Sequence, residues 1–557
     1  MRLDALFTGG RFTTMDPDRP TAHSLGVVAG VIVGFDEELA GCRADRVHDL
    51  AGAPVVPGFH DAHHHLGPRG LEMRMCDVSP AAVRDLDGLY AAVARHADRL
   101  APDAWVLAVN YDDDKLGGPI TREGLDKAAG GRPAWVLHCS HHSGVVNTEA
   151  IRRMGYENPA DLPDGEGCWV ERRPDGEPTG VIAERSLDLV HRLIRPAPFD
   201  AFLDALELGG RAALADGLTS VTEPGIAGSL TGNGPQDLAA YLTAVDQDRM
   251  GVRMTVMPEA SVLHPLGDPA SGESHQLLPQ QGPFGLDLGL RTGLGDDRLR
   301  IGGVKIFSDG ALTARTAAMC EHYVDEPGQR GLLHEDAENL RQRILQAHLA
   351  GWQVATHAIG DRAVQTVLDA YEHAQSVLPR PDVRHRIEHF GVADHRQVEQ
   401  VLRLGVVPVP QGRFLSELGD VYVRNIGPER GRNLYRQRSL LDAGIEVPGS
   451  SDCPVVSGSP LLGIQALVSR VLPDGSVLSP AECLTPYQAL RAYTHGSAYA
   501  DHQEHRKGSL SRGKLADFTV LSDDLLAVAP QRIGELVVLA TVVGGVVRHG
   551  TDVLPPA

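Results

Sequence analysis

Cysteine and positive charge are scarce in this 557-residue sequence. Its seven cysteines are an odd number and form no C-x-x-C pair, which argues against a disulfide framework and a cysteine-based zinc site. A reducing compartment is the simplest interpretation. The formal net charge of −21 argues against nucleic acid or an anionic membrane surface as the main partner.

Long apolar runs are also lacking. No stretch is long enough to span a membrane, and the N-terminal segment has no apolar run behind a basic start. We therefore expect a cytoplasmic protein, with no nucleic-acid partner and no membrane partner. A homodimer is left open.

Short β-forming segments are predicted at both ends of the chain, where Gly, Asp and Pro separate them. They cover residues 5–7, 24–28, 31–35, 518–521 and 536–543. We expect residues 1–53 and 507–557 to form one small β-sandwich domain from both chain termini. Two unrelated hairpins are the alternative.

The middle of the chain, residues 54–506, alternates apolar β runs with amphipathic helical segments, which is typical of βα units with parallel strands. About eight strands are predicted, the number that an α/β fold of the (β/α)8 TIM-type barrel needs. The predicted strands lie at 55–56, 218–221, 254–257, 301–307, 353–356, 386–387, 406–409 and 445–447. The predicted helices lie at 200–215, 236–247, 335–350, 362–378, 394–404 and 486–499.

Two segments interrupt this pattern. Residues of about 70–200 lose the alternation, and we interpret them as an insertion that shapes the substrate pocket. Residues 264–298 are rich in Gly and Pro and are predicted to form a long loop, a feature that is often functional in barrels.

The strongest local signal is the sequence P-G-F-H-D-A-H-H-H at residues 57–65. In an extended chain residues i and i+2 point to the same side, so His63 and His65 can ligate one metal while His64 points away. Histidine is the commonest metal ligand. The alternative is a polar loop that happens to be rich in histidine.

Similar residues recur at the ends of other predicted strands. They are His357, His389 and Asp452, and Lys305 lies inside an otherwise apolar strand. Barrel active sites form at the C-terminal ends of strands. An unpaired lysine there costs several kcal/mol unless it is neutralised or paired. This shared context predicts a metal centre.

Several motifs carry a resemblance to a known family. They lie at residues 57–65, 304–317 (V-K-I-F-S-D-G-A-L-T-A-R-T-A), 356–364 (T-H-A-I-G-D-R-A-V), 386–389 (R-I-E-H), 450–454 (S-S-D-C-P) and 508–518 (G-S-L-S-R-G-K-L-A-D-F). The sequence resembles the amidohydrolase superfamily, and within it the YtcJ-like group called amidohydrolase family 3. The likeness covers nearly the whole chain, but the group is functionally broad.

The resemblance implies roles for the metal-site residues. His63 and His65 would hold the more buried ion with Asp452, and His357 and His389 would hold a second one. Lys305 would be carboxylated by CO₂ to a bridging carbamate, which makes its burial tolerable. The alternative is an unmodified Lys305 that is paired to a carboxylate beside a single ion.

The resemblance also implies substrate-binding residues: Asp112, His142, Asp309, Arg315 and Gln411. Asn110, His141 and Gly412 depart from the group's pattern close to three of them. Structural roles are the alternative, with Asp309 in a turn and Arg315 in an ion pair.

The predicted function is a metal-dependent hydrolase that cleaves a C–N bond of amide or formamide type in a small-molecule substrate by metal-activated hydroxide. The ligands suit a divalent metal, zinc first, as one or two ions. Asp452 would act as the catalytic base, and Lys305 would also be catalytic. The alternatives are an isomerase or lyase that uses the same metal site, and a metal-free binding protein. No G-x-S-x-G motif favours a serine hydrolase.

Overall fold

The computed structural model describes residues 1–139, 143–163, 168–184, 186–228, 230–266 and 284–551. They belong to two compact units: Met1–Leu66 with Gly210–Ala557, and Gly67–Gly209. Among the described residues, no helix is long and apolar enough to cross a membrane.

The strands follow in chain order. They are β1 (Arg2–Leu3), β2 (Ala5–Thr8), β3 (Arg11–Thr13), β4 (Thr21–Ala22), β5 (Leu25–Val28), β6 (Val31–Phe35), β7 (Arg43–Ala44), β8 (Val47–Asp49), β9 (Pro54–Pro57), β10 (Phe59–Asp61), β11 (Cys76–Asp77), β12 (Val106–Tyr111), β13 (Ala134–His138), β14 (Ser143–Val146), β15 (Cys168–Arg172), β16 (Pro178–Glu184), β17 (Leu218–Ile226), β18 (Arg253–Pro258), β19 (His264–Pro265), β20 (Phe284–Gly285), β21 (Leu299–Ile301), β22 (Val304–Phe307), β23 (Val354–Ala358), β24 (Arg386–His389), β25 (Val407–Val409), β26 (Phe518–Leu521), β27 (Val538–Val543) and β28 (Val546–His549).

The α-helices follow in the same order. They are α1 (Leu66–Glu72), α2 (Leu86–Ala97), α3 (Asp113–Leu116), α4 (Arg122–Ala129), α5 (Thr148–Arg153), α6 (Leu187–Ile194), α7 (Phe199–Ala215), α8 (Asp237–Asp246), α9 (Ala337–Leu349), α10 (Asp361–Val377), α11 (His395–Leu404), α12 (Arg413–Ile426), α13 (Pro428–Gly431), α14 (Gln437–Asp442), α15 (Pro460–Ser469), α16 (Pro486–Arg491) and α17 (Ser497–Ala500).

Two parallel sheets form the framework of the larger unit. One has the order β10-β17-β18-β21 and the other the order β22-β23-β24-β25. A single parallel bridge between Glu259 and Lys305 joins the ends of β18 and β22. The described strands do not close into one continuous barrel, because the last predicted strand, at 445–447, is not formed.

The segment after residue 445 still lies beside β10. The Ala62 N–H donates to the Gly449 carbonyl at 3.0 Å, and the Asp452 N–H donates to the His63 carbonyl at 2.7 Å. Pro448 has no N–H, so a regular ladder cannot continue through it. The prediction of a strand at 445–447 is therefore wrong, although the chain runs where that strand would lie.

Two further strand predictions need correction. Residues 55–56 lie in β9, which pairs with β26 and β3 and belongs to neither of the two parallel sheets. The chain passes from β9 to β10 at Gly58, where a Cβ would lie 2.3 Å from Thr219. The predicted strand 301–307 is two strands, β21 and β22, in different sheets. Gly302 and Gly303 separate them, and glycine is typical of such a break.

Strands from both chain ends lie side by side. A six-stranded sheet has the order β28-β27-β26-β9-β3-β4, and a four-stranded sheet has the order β6-β5-β2-β8. Their buried side chains form one cluster in which the Phe518 ring packs against Phe7 and Phe12 at 4.8 and 6.0 Å. These sheets group with the parallel strands in one compact unit, so a separate terminal domain is not distinguished.

The smaller unit has its own sheet and core. Six strands have the order β11-β12-β13-β14-β16-β15; the first three are parallel and the others antiparallel. Buried side chains of α2 and α4, among them Leu89 and Leu125, join those of β12 and β13 in one cluster. The sequence pattern predicts no strand in this part of the chain and only the start of one helix, at 200–215.

Helix ends follow the capping residues of the sequence. Before α11, the Asp394 side chain accepts the Gln397 N–H, and the Gln397 side chain accepts the Asp394 N–H, both at 2.9 Å. Gly405 ends the helix at φ +62°, a conformation that glycine adopts without strain. These bounds agree closely with the predicted helix at 394–404.

The predicted helix at 486–499 is interrupted. After α16, residues 492–496 form one π-helical turn before α17 begins. The Ser497 hydroxyl donates to the carbonyls of Ala492 and Gly449, both at 3.0 Å. Asp501, just after α17, is buried and accepts a hydrogen bond from Arg386 at 2.9 Å.

The predicted loop at 264–298 is described only in part. Residues 267–283 lie outside the described chain. The strands on either side of them, β19 and β20, pair antiparallel.

Candidate metal centre

His63 and His65 follow the end of β10 on one side of the chain. Their Nε2 atoms lie 3.1 and 3.2 Å from the same oxygen, Oδ1 of Asp452. His64 points away and contacts Asp61 Oδ2 through Nδ1 at 3.2 Å. The other oxygen of Asp61 accepts the backbone N–H of His63 and of Ser451, each at 3.1 Å. Asp61 therefore holds the two ligand-bearing segments together.

Asp452 is a buried carboxylate in a left-handed backbone conformation, with φ +60°. Burial alone would raise the pKa of its carboxyl, but the adjacent His63 and His65 rings lower that pKa well below its usual range. The side chain is therefore ionised, as a metal ligand has to be.

His389 ends β24, and its ring centroid lies 5.0 Å from that of His63 and 4.3 Å from that of His357. Ligand atoms of His63, His389 and Asp452 lie within 4.8 Å of one another. Burial, together with the neighbouring His357, lowers the pKa of His389 well below its usual value. Its imidazole is therefore neutral and has a lone pair to offer to a metal.

His357 lies near the end of β23 and is the most exposed of the four histidines, with a side chain 13% exposed. Its Nε2 lies 3.1 Å from the Gly310 carbonyl and 3.4 Å from Asp309 Oδ1. Its Nδ1 is therefore the nitrogen that has a lone pair to offer to a metal. His357 therefore stands next to His389, outside the compact group of three ligand atoms.

Lys305 lies on β22 and is 1% exposed. Its Nζ lies 4.8 Å from the Phe307 ring centroid and makes no hydrogen bond or ion pair with any described residue. Burial lowers the pKa of Lys305 to about 8, although Glu388 and Asp452 act in the opposite direction. The alternative in which a carboxylate pairs directly with this lysine is not seen among the described residues.

These side chains fit a divalent metal ion. His63, His65 and His389 each engage Nδ1 with a buried partner and leave Nε2 for an ion. Separations of 3.1 and 3.2 Å from Asp452 match the roughly 3.3 Å that two ligands show around one tetrahedral ion. The Lys305 amine, which has no hydrogen-bond partner among the described residues, lies in the same buried region.

Sequence reasoning missed the residues that hold the ligands. Glu388 bonds to His63, and Glu223 bonds to His65 at 3.0 Å. Arg386 forms a two-point ion pair with Glu388 at 2.7 and 3.1 Å. One signal was available in R-I-E-H: strand alternation puts Arg386 and Glu388 on the same side of β24.

Three of the predicted substrate-binding residues lie in the larger unit. Asp309 is buried and accepts the N–H groups of Ala318, Ile359 and Gly360 at 2.9 to 3.0 Å. Gln411 is also buried, and its Oε1 accepts a hydrogen bond from His389 at 2.7 Å. Gln411 therefore contacts a ligand directly, and Asp309 lies 3.4 Å from His357 Nε2. Substrate contact of both residues stays a prediction.

Arg315 pairs with Glu326 and donates to Asn425 Oδ1 at 3.1 Å. In the smaller unit, Asp112 caps α3 and pairs with Lys115 at 3.0 Å. His142 lies outside the described residues. The substrate roles of these three residues also remain predictions.

Residues 46–549 match the model of the amidohydrolase family. The chain belongs to that family. This amidohydrolase is 29% identical to YtcJ of Bacillus subtilis over 559 residues, covering 98% of this chain and 99% of the relative. It is 27% identical to the N-substituted formamide deformylase of Arthrobacter pascens, with 98% of each chain covered.

A solved structure is similar to this amidohydrolase over nearly its whole length. It is an uncharacterized metal-dependent hydrolase from Pyrococcus horikoshii, with a TM-score of 0.74, 25% identity, and 94% of this chain and 99% of that chain covered. The amidohydrolase therefore has an α/β fold of TIM-barrel type. It is a metal-dependent hydrolase with a divalent metal site.

Proposed function

We propose that this amidohydrolase cleaves a C–N bond of amide or formamide type in a small molecule. The observation that carries the proposal is the buried group of His63, His389 and Asp452, with His65 in contact with Asp452. This group lies where parallel strands end, the usual place for an active site in barrel-type folds.

The chain offers places for two ions. His63, His65 and Asp452 would hold one, and His357 and His389 the other. Histidine nitrogens and carboxylate oxygens suit zinc. A bound divalent ion supplies a Lewis acid that polarises a carbonyl oxygen and lowers the pKa of water.

Asp452 acts as the general base. Its carboxylate is ionised and contacts both His63 and His65, so it is held in place to accept a proton from the attacking water. It then delivers that proton to the leaving nitrogen as the C–N bond breaks. A buried carboxylate with two fixed contacts is well suited to this double role.

Lys305, once carboxylated, would be an anionic ligand for the ions. Its buried amine has no partner among the described residues, which disfavours the charged form. The neutral amine attacks CO₂, an N–C bond forms, and a proton leaves to give an anionic carbamate. The carbamate would add negative charge near His389 and Asp452, where two bound cations would otherwise repel each other.

The C–N specificity is supported by the likeness to the N-substituted formamide deformylase of Arthrobacter pascens. The experiment is a panel of amides and N-substituted formamides, tested with zinc, manganese, iron and nickel. We expect release of an amine together with an acid or formate. An isomerase or lyase would convert a carbonyl compound without releasing an amine, and that outcome would contradict the proposal.

The metal requirement is tested separately. Protein purified without chelators should contain one to two divalent ions per chain by elemental analysis. The double variant His63→Ala/His65→Ala should lose most of this metal, because two imidazole ligands are gone. Equal metal in both proteins would contradict the ligand assignment. We further propose a cytoplasmic location, with no nucleic-acid or membrane partner.

A further inference from the structure

The four histidines differ in what holds the nitrogen that faces away from the centre. His63 and His65 each place Nδ1 against a carboxylate: Glu388 Oε2 at 2.5 Å and Glu223 Oε1 at 3.0 Å. Both carboxylates are buried, at 0% and 2% exposure. The segment that follows β10 therefore carries two histidines with anionic partners.

The other two histidines have neutral hydrogen-bond acceptors. His389 Nδ1 donates to the amide oxygen of Gln411 at 2.7 Å, and His357 Nε2 lies 3.1 Å from the Gly310 carbonyl. Asp309 is farther from His357, at 3.4 Å, and its oxygens already accept three backbone N–H groups. This pair therefore lacks a close anionic partner.

The carboxylates are themselves held rigidly. Arg386 fixes both oxygens of Glu388. It also donates to the carbonyl of Ala62, the residue directly before His63, at 2.7 Å. The Tyr241 hydroxyl donates to Glu223 Oε2 at 2.9 Å. Each carboxylate can therefore fix the ring orientation and the tautomer of its histidine.

A carboxylate behind an imidazole raises the basicity of the nitrogen that faces the metal, whereas an amide or carbonyl does so less. Loss of such a partner typically costs about 10- to 100-fold in metal affinity. Two of these partners act on His63 and His65, and neither acts directly on His357 or His389.

We infer that the position formed by His63, His65 and Asp452 binds its ion more tightly than the position formed by His357 and His389. Glu388 and Glu223 are the positioning residues that create this difference, and Gln411 keeps the second position weak. This inference rests on the proposed metal-dependent function, because it orders the loading of that same site.

The test is a Zn²⁺ titration of chelator-treated full-length protein against a chromophoric chelator. We expect two affinity classes in the wild type. Glu223→Gln and Glu388→Gln should each weaken the tighter class by about 10- to 100-fold and leave the weaker class unchanged. Gln411→Glu should tighten the weaker class, because it gives His389 a carboxylate. The exposed Glu399→Gln is the matched control and should change neither class.

The outcomes separate this inference from the proposed function. Absence of bound zinc in the wild type would contradict the metal-dependent function itself. Zinc binding that is unaffected by Glu223→Gln, or a loss confined to the weaker class, would overturn the inference alone. If Glu388→Gln fails to fold because the buried Arg386 keeps only Asp501 as an ionic partner, Glu223→Gln decides.

A wild type that binds one zinc ion instead of two also tests the inference. If the wild type binds a single zinc ion, that ion should be lost in His63→Ala and kept in His357→Ala. The opposite pattern would overturn the inference.

Discussion

Asp452 is the residue on which the proposed proton transfer depends. Asp452→Asn keeps the size of the side chain and the backbone contact to His63, but an amide cannot accept the proton. We expect turnover of a confirmed substrate to fall by roughly 10²- to 10⁴-fold, the range for loss of a general base. The measurement is the initial rate at saturating metal, with circular dichroism as the control for folding. A variant that keeps most of its activity would place the base elsewhere.

Lys305 gives a second prediction, because its proposed role depends on a modification of the side chain. Lys305→Ala would remove the proposed carbamate and should abolish activity. Short carboxylic acids such as acetate or propionate should restore part of it by filling the space with an anion. The measurement is the rate with and without added acid, and Asp452→Asn serves as the variant that acids should not rescue. A high-resolution metal-loaded structure with an unmodified amine at 305 would contradict the bridged site.

Asp309 shows how one side chain can join several elements. Its carboxylate ties the segment after β22 to Ala318 and to the start of α10 through Ile359 and Gly360. Asp309→Asn replaces an acceptor with an NH₂ group that faces backbone N–H donors. We expect the free energy of unfolding to fall by about 1–3 kcal/mol, because buried donors lose their partner.

The measurement for Asp309→Asn is the denaturant midpoint, with Asp369→Asn on the exposed face of α10 as the control. A changed KM with unchanged stability would instead favour the substrate-binding role that the sequence pattern implies for Asp309.

A buried histidine pair predicts that the stability of the whole molecule depends on pH. His348 Nδ1 and His385 Nε2 are 2.8 Å apart, and His385 Nδ1 accepts the Val354 N–H at 2.9 Å. Burial, His348 and the charge of Arg380 lower the pKa of His385 well below its usual value. The folded protein therefore keeps this ring neutral where the unfolded chain would protonate it.

The direction in which stability changes with pH follows from this difference. Above about pH 6.5 both states are neutral and stability is complete. As the pH falls below that value, the unfolded chain gains a proton that the folded protein does not, so each such group costs up to about 1.4 kcal/mol per pH unit. His385→Asn should lower the urea midpoint at pH 8 but make its fall between pH 7 and pH 5 shallower. His395→Asn, at a side chain 78% exposed, is the control and should keep the wild-type slope. Equal slopes in all three proteins would contradict the prediction.

The sequence alone was enough to identify the family and to predict the ligand set, because both depend on short-range patterns. His63 and His65 are two residues apart on an extended chain, and His357, His389 and Asp452 follow recognisable apolar segments. The bounds of α9, α10 and α11 were also predictable to within about two residues, since capping residues and helical periodicity are local.

The contacts that hold the ligands and the pairing of several strands became clear only in the folded structure, because they join residues far apart in the chain. Glu388 meets His63 across 325 residues, and Arg386 meets Asp501 across 115, so no local pattern indicates either contact. The sheet to which residues 55–56 belong was settled by pairing with the C-terminal strand β26. The absence of a regular strand at 445–447, the separation of β21 from β22 and the π-helical turn before α17 likewise depend on how the chain packs, which periodicity does not encode.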